Sequence, residues 1–78
     1  MGLPMRAPKP NLKLKRLRSL AGLSQRGLSA RVGISRDHIL KVEGGHSNLG
    51  HRAAFKIIDG LGPDAHGITV EDLLRGSV

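Results

Sequence analysis

Apolar residues recur along the chain at helical spacing, in five short runs separated by breaks that contain glycine or proline. Leu14, Leu17 and Ala21 follow Asn11, whose side chain suits a helix N-cap, and Gly22 offers a left-handed stop, which predicts a helix over 12–21. Ser24 opens a second run, 25–32, in which Leu28 and Val32 share a face, although Gly27 inside it costs roughly 1 kcal/mol relative to alanine. Gly33 and Ile34 lead to another capping serine, Ser35, and to a third helix over 36–44 with Ile39 and Val42 inward and Gly44-Gly45 at its end. A joint this short between two helices needs a residue that tolerates positive φ, and Gly33 does so without Cβ strain.

His46 to Gly50 forms a polar loop, after which Ala54, Phe55, Ile58 and Leu61 make the apolar stripe of a fourth helix over 50–61. Residues 62–67, Gly-Pro-Asp-Ala-His-Gly, read as a loop. Thr69 caps a short helix over 70–75, with Asp72 three residues on as a variant capping box and Val70, Leu73 and Leu74 apolar; Ile68 to Val70, all three β-branched, can alternatively run extended. The expected fold is all-α, a compact bundle of about five short helices. Residues 1–10 hold three of the four prolines together with Arg6 and Lys9 and read as a flexible basic arm, 11–75 as the domain, and 76–78 as a tail.

Composition narrows the function. With 78 residues and no cysteine, the chain has one core, held by packing alone, and neither a disulfide nor a thiolate metal site, which fits a reducing compartment. Phe55 is the sole aromatic residue, so a base-stacking platform for single strands or RNA is excluded and duplex binding is favoured. Residues 1–58 carry 12 basic and 2 acidic side chains, whereas 59–78 carry 1 and 4. A body this basic is the electrostatic footprint expected for a polyanion, and the acidic end should face away from it. No apolar run is long enough to span a bilayer and the start lacks the apolar core of a signal peptide, so no membrane association and a cytoplasmic setting, nucleoid-associated when bound, are expected.

Successive helical residues are 100° apart, so a third helix that buries Ile39 and Val42 turns Asp37 and Lys41 outward, flanked by Arg36 and Leu40. Arg18 and Glu43 each lie beside an inward stripe, where pairing with one another is the economical solution and an ordinary surface pair the alternative. The run from Leu23 to Gly45 resembles the family of Cro proteins, phage repressors and xenobiotic-response-element regulators, on Ser24-Gln25, Leu28, Val32-Gly33, Ser35, Ile39, Val42-Glu43 and Gly45 in one register. The likeness extends from about residue 12 to 74, through Leu14 to Arg18 before the run and Ile57-Ile58, Leu61 and Val70 to Leu74 after it.

The resemblance implies a sequence-specific regulator of transcription, not an enzyme, whose third helix enters the major groove of double-stranded DNA. Arg36, Asp37 and Lys41 then reach base edges: Arg36 or Lys41 to guanine, and Asp37 either to cytosine N4 or merely favouring the helix N-terminus. Gln25 is implied as a phosphate contact, and Arg26, Ser35, His38, His46, Ser47 and Asn48 are candidates for further backbone contacts. The family also often joins its first and third helices by an arginine to glutamate bridge, here Arg18 to Glu43. A homodimer on two half-sites about 34 Å apart is expected, with Ile68, Val70, Leu73 and Leu74 at the interface or, alternatively, closing the monomer core.

Three positions depart from the family. Ser29 replaces the usual alanine and is expected to bond back one turn, Leu49 replaces a proline, and the 62–67 loop is long. His38, His46, His51 and His66 show no metal-binding spacing, and neither a metal, a cofactor nor a catalytic group is expected. The rival readings are an antitoxin or other protein-interaction module that regulates its own operon, and a cationic protein of membrane surfaces.

Overall fold

A computed structural model of the chain describes residues 10–76; residues 1–9 of the expected arm and the last two residues of the tail lie outside them. The helices are α1 (Leu12–Leu20), α2 (Gln25–Val32), α3 (Arg36–Glu43), α4 (His51–Leu61) and α5 (Val70–Arg75), with one turn of 3-10 helix, Gly62–Ala65, after α4. The described residues contain no strand, so the segment before α5 does not pair as one. The side-chain caps form as expected: Asn11, Ser24 and Ser35 accept from the amides of Leu14, Gly27 and His38, and Thr69 with Asp72 completes a reciprocal capping box. The hydrogen bonds from Thr69 hold the Asp72 carboxyl below its ordinary range. Ala21, Gly44 and Gly50, placed inside helices by the sequence reading, are the capping residues next to them.

One core joins every helix: Leu14 and Leu17 from α1, Leu28 and Val32 from α2, Ile39 and Val42 from α3, Ala54, Ile57 and Leu61 from α4, Ala65 from the 3-10 turn, and Leu73 from α5. Phe55, expected inward, is instead 54% exposed, and Ile57 takes the buried position. The cause is the approach of α2 to α4. A Cβ at Gly60 would stand 3.0 Å from Val32 Cγ1 and 3.2 Å from Val32 Cα, so the two helices meet where α4 lacks a side chain. That contact fixes the rotation of α4, brings Ile57 inward, and leaves Phe55 on the solvent side of half-buried Ile58.

The 62–67 segment is also more ordered than a loop. Arg31 of α2 donates through Nε to Gly60 O at 3.1 Å and through Nη2 to Leu61 O at 3.3 Å, and pairs with Asp64 at 3.0 Å. A cation thus satisfies the open carbonyls at the end of α4 while its carboxylate partner draws the 3-10 turn back onto α2. Ser29 does not bond back along α2; its hydroxyl donates forward to Ile34 O at 2.6 Å and braces the joint between α2 and α3. Gly33 sits in that joint at φ 74°, as its lack of a Cβ permits.

The start of α1 is fastened to the end of α5. Asn11 Nδ2 donates to Leu73 O at 2.8 Å, its backbone amide donates to Val42 O at 3.2 Å, and the Leu12 and Lys13 amides donate to Gly76 O at 2.9 and 3.2 Å. Amides that α1 cannot satisfy internally therefore find carbonyls that α5 leaves open. Asn11→Ala removes both the cap and the partner of a buried carbonyl, with an expected loss of about 2 to 4 kcal/mol in urea unfolding. Asn11→Asp keeps the acceptor for Leu14 but not the donor for Leu73, and must also destabilise; wild-type stability in that variant would contradict the role given to Asn11.

Candidate nucleic-acid interface

α3 is eight residues long, and three of them, Ile39, Val42 and Glu43, are buried. The apolar pair seats one side of the helix on the core, while Arg36, Asp37, Leu40 and Lys41 are exposed on the other. The inward and outward division expected from the helical repeat is therefore present, although the helix ends at Glu43 and not at Gly44. Lys41 Nζ lies 3.0 Å from Asp37 Oδ2, an ion pair across one turn. Leu40, beside them, leaves 51% of its surface open although it is apolar.

The buried charge, Glu43, holds the far end of α3. Arg18 of α1 donates from Nε to Glu43 Oε2 at 2.8 Å and from Nη2 to Oε1 at 2.9 Å, a forked pair whose side chains keep only 16% and 5% of their exposure. Arg18 Nη1 also donates to Leu23 O at 3.1 Å, so one guanidinium ties α1, the entry to α2 and the end of α3. The hydrogen bonds that Arg18 donates to Glu43 raise the Arg18 pKa above its already high value, so the cation persists at every working pH. Gln25 Nε2 donates to the same Glu43 oxygen, Oε1, at 3.3 Å. The side chain assigned to a phosphate is thus partly buried and held at the opening of α2 beside α3.

Around this core of the site, Arg26, Ser35, His46 and Asn48 are exposed, and His38 and Ser47 are half-buried. Ser35 is occupied at the start of α3, where its oxygen accepts from the His38 amide at 3.1 Å. A shallow depression beside it is lined by Ser35, His38 and Asn48 and, from α4, by Arg52 and Lys56. The sequence reading missed those two cations. Their spacing of four residues puts both on one face of α4, and they extend the basic surface away from α3. Of the four residues assigned to a dimer interface, Leu73 has no exposed surface and belongs to the monomer core, whereas Ile68, Val70 and Leu74 remain half-buried at the edge of it. Among the described residues, no group of histidine and carboxylate side chains is placed to hold a metal ion, and no helix is long and apolar enough to cross a membrane.

Two short helices joined through a left-handed glycine, the second seated by two aliphatic residues and pinned by a forked ion pair, constitute a helix-turn-helix. The family model described as "Helix-turn-helix domain" matches residues 12–70, from the first residue of α1 to the first of α5. The chain belongs to the helix-turn-helix domain family. The resemblance drawn from Ser24 to Gly45 is thereby borne out, and the match embraces α4 and the 3-10 turn as well as the two motif helices. No curated protein and no solved structure matches the chain.

Within the helix-turn-helix domain the Arg18 to Glu43 bridge fixes the end of α3 against α1. Arg18→Ala strands a buried carboxylate and should lower stability by about 3 to 5 kcal/mol, towards the lower figure because Gln25 remains as a donor. Chemical unfolding of Arg18→Ala, Glu43→Gln and the double variant measures the pair; a coupling of less than about 1 kcal/mol, the value for a solvated pair, would show that the bridge does not hold α3.

Proposed function

We propose that the chain is a sequence-specific regulator of transcription that inserts α3 into the major groove of double-stranded DNA and acts as a binding module without catalysis. The observation that carries this reading is the division of α3: Ile39, Val42 and Glu43 are spent on the fold, and Arg36, Asp37 and Lys41 are left outward in a helix-turn-helix domain. Base-edge contact by these three side chains is the part of the interface that selects sequence. Gln25, Arg26, Ser35, His38, His46, Ser47 and Asn48 serve backbone contacts that set register, and Arg52 and Lys56 are added to them here.

The operator is bound by a homodimer, because one short recognition helix reads too few base pairs to compete with the rest of a genome. Ile68, Val70 and Leu74, at the edge of the core, and exposed Phe55 on α4 supply the apolar surface for the second copy. The charge distribution supports the same orientation, since the basic 1–58 portion includes α3 and four of the six acidic residues follow Ile58. Such a dimer is a repressor of the Cro or phage type or a controller of a restriction-modification operon.

Selection of bound duplexes from a random pool tests the reading. The wild-type chain should enrich a motif with two related half-sites one helical turn apart, and Arg36→Ala should relax the preference at one position of each at a loss of about 1 to 3 kcal/mol. Enrichment of no motif by the folded wild-type chain would refute it.

A further inference from the structure

Asp37 and Lys41 stand one turn apart on the outward side of α3, with their charged groups 3.0 Å apart and about half of the lysine and 70% of the aspartate side chain exposed. A solvated pair of this kind adds little to the stability of a helix. Its position is what gives it consequence, because it occupies the centre of the face that α3 turns away from the core. A carboxylate there repels phosphate, so it needs a compensating partner on any duplex that it meets.

We propose that Asp37 and Lys41 act as a single unit that reads one G·C base pair, Lys41 donating to guanine O6 and N7 while Asp37 accepts from N4 of the paired cytosine. The inference rests on the assignment of α3 to the major groove and deepens it. Guanine O6 and cytosine N4 are hydrogen-bonded to each other and hence about 2.9 Å apart. The observed separation of the ammonium and the carboxylate is 3.0 Å, so the couple presents a donor and an acceptor at the spacing at which the base pair presents an acceptor and a donor.

The order of groups across the groove decides between base pairs. A G·C pair shows two acceptors, N7 and O6, followed by the N4 donor. Two ammonium protons then meet guanine, the third stays on Asp37, and the carboxylate accepts from both lysine and cytosine, leaving no group opposed. An A·T pair shows an acceptor, a donor, an acceptor and a methyl group. There the carboxylate, placed on adenine N6, lies beside the N7 lone pair, and the ammonium finds only thymine O4, next to the methyl. The ion pair also carries no net charge, so indiscriminate attraction to phosphate falls to neighbours such as Arg26, Arg36, Arg52 and Lys56.

The test is binding by the full chain, wild type, Asp37→Asn and Lys41→Ala, to selected duplexes carrying single base-pair replacements, with circular dichroism to verify folding. One G·C position in each half-site is expected whose replacement by A·T weakens the wild type by about 5- to 150-fold. Both variants should lose the preference at that position and at no other. Asp37→Asn should also bind random duplex more tightly than the wild type, with a log-log salt slope steeper by up to about one, because the freed Lys41 turns to phosphate. The proposal is overturned if the two variants change different positions, or if Lys41→Ala weakens all duplexes equally while Asp37→Asn keeps the wild-type motif. A wild type that selects a motif without a shared G·C position overturns the coupled reader alone, whereas one that selects no motif overturns the groove assignment itself.

Discussion

Everything outward in this domain depends on how α3 is held. Eight residues make only about two turns, far short of the length at which an isolated helix is stable in water, so α3 exists by tertiary contact. Ile39 and Val42 seat it, the Ser35 cap and the Ser29 brace set where it begins, and the Arg18 to Glu43 fork sets where it ends. With both ends fixed and one side buried, the direction of the remaining side chains is determined. Asp37 and Lys41 stand outward because the helix has nothing else to do with them.

The rest of the chain forms the frame for that helix. α4 packs on α2 through Gly60 and Val32, and Arg31 reaches back to cover the end of α4. Asn11 and Gly76 join the first helix to the last, and the Asn11 amide also meets Val42 O, so the same fastening touches α3. Burial of Leu73 in the frame rather than at its surface means that α5 is part of the monomer before it can serve an assembly. The apolar surface left for the proposed second copy is the edge made by Ile68, Val70 and Leu74, with Phe55 exposed on α4.

Local signals were legible in the sequence wherever one residue type solves a local backbone problem. Ser24, Ser35 and Thr69 satisfy helix amides within three residues, and Gly33 takes a left-handed φ, so the motif could be read from neighbours alone. The polar face of α3 followed from two buried residues and the helical repeat. Long-range choices were less visible. In α4, Ala54, Phe55, Ile57, Ile58 and Leu61 offer more apolar positions than one stripe can bury, and only the approach of Val32 to Gly60 selects among them. The reach of Arg31, the forward bond of Ser29 and the 3-10 turn were not foreseen for the same reason: each depends on a carbonyl or carboxylate brought near by folding. Arg52 and Lys56 joined the candidate surface only once α4 was placed beside the start of α3.

In the function proposed above, DNA meets the domain through the open side of α3. Backbone amide chemical shifts of the isotopically labelled chain, followed as a selected duplex is added, test it most directly. The largest changes are expected at Gln25, Arg26 and Ser35 to Lys41, with α5 nearly unmoved. Changes concentrated in α5, with α3 silent, would contradict it.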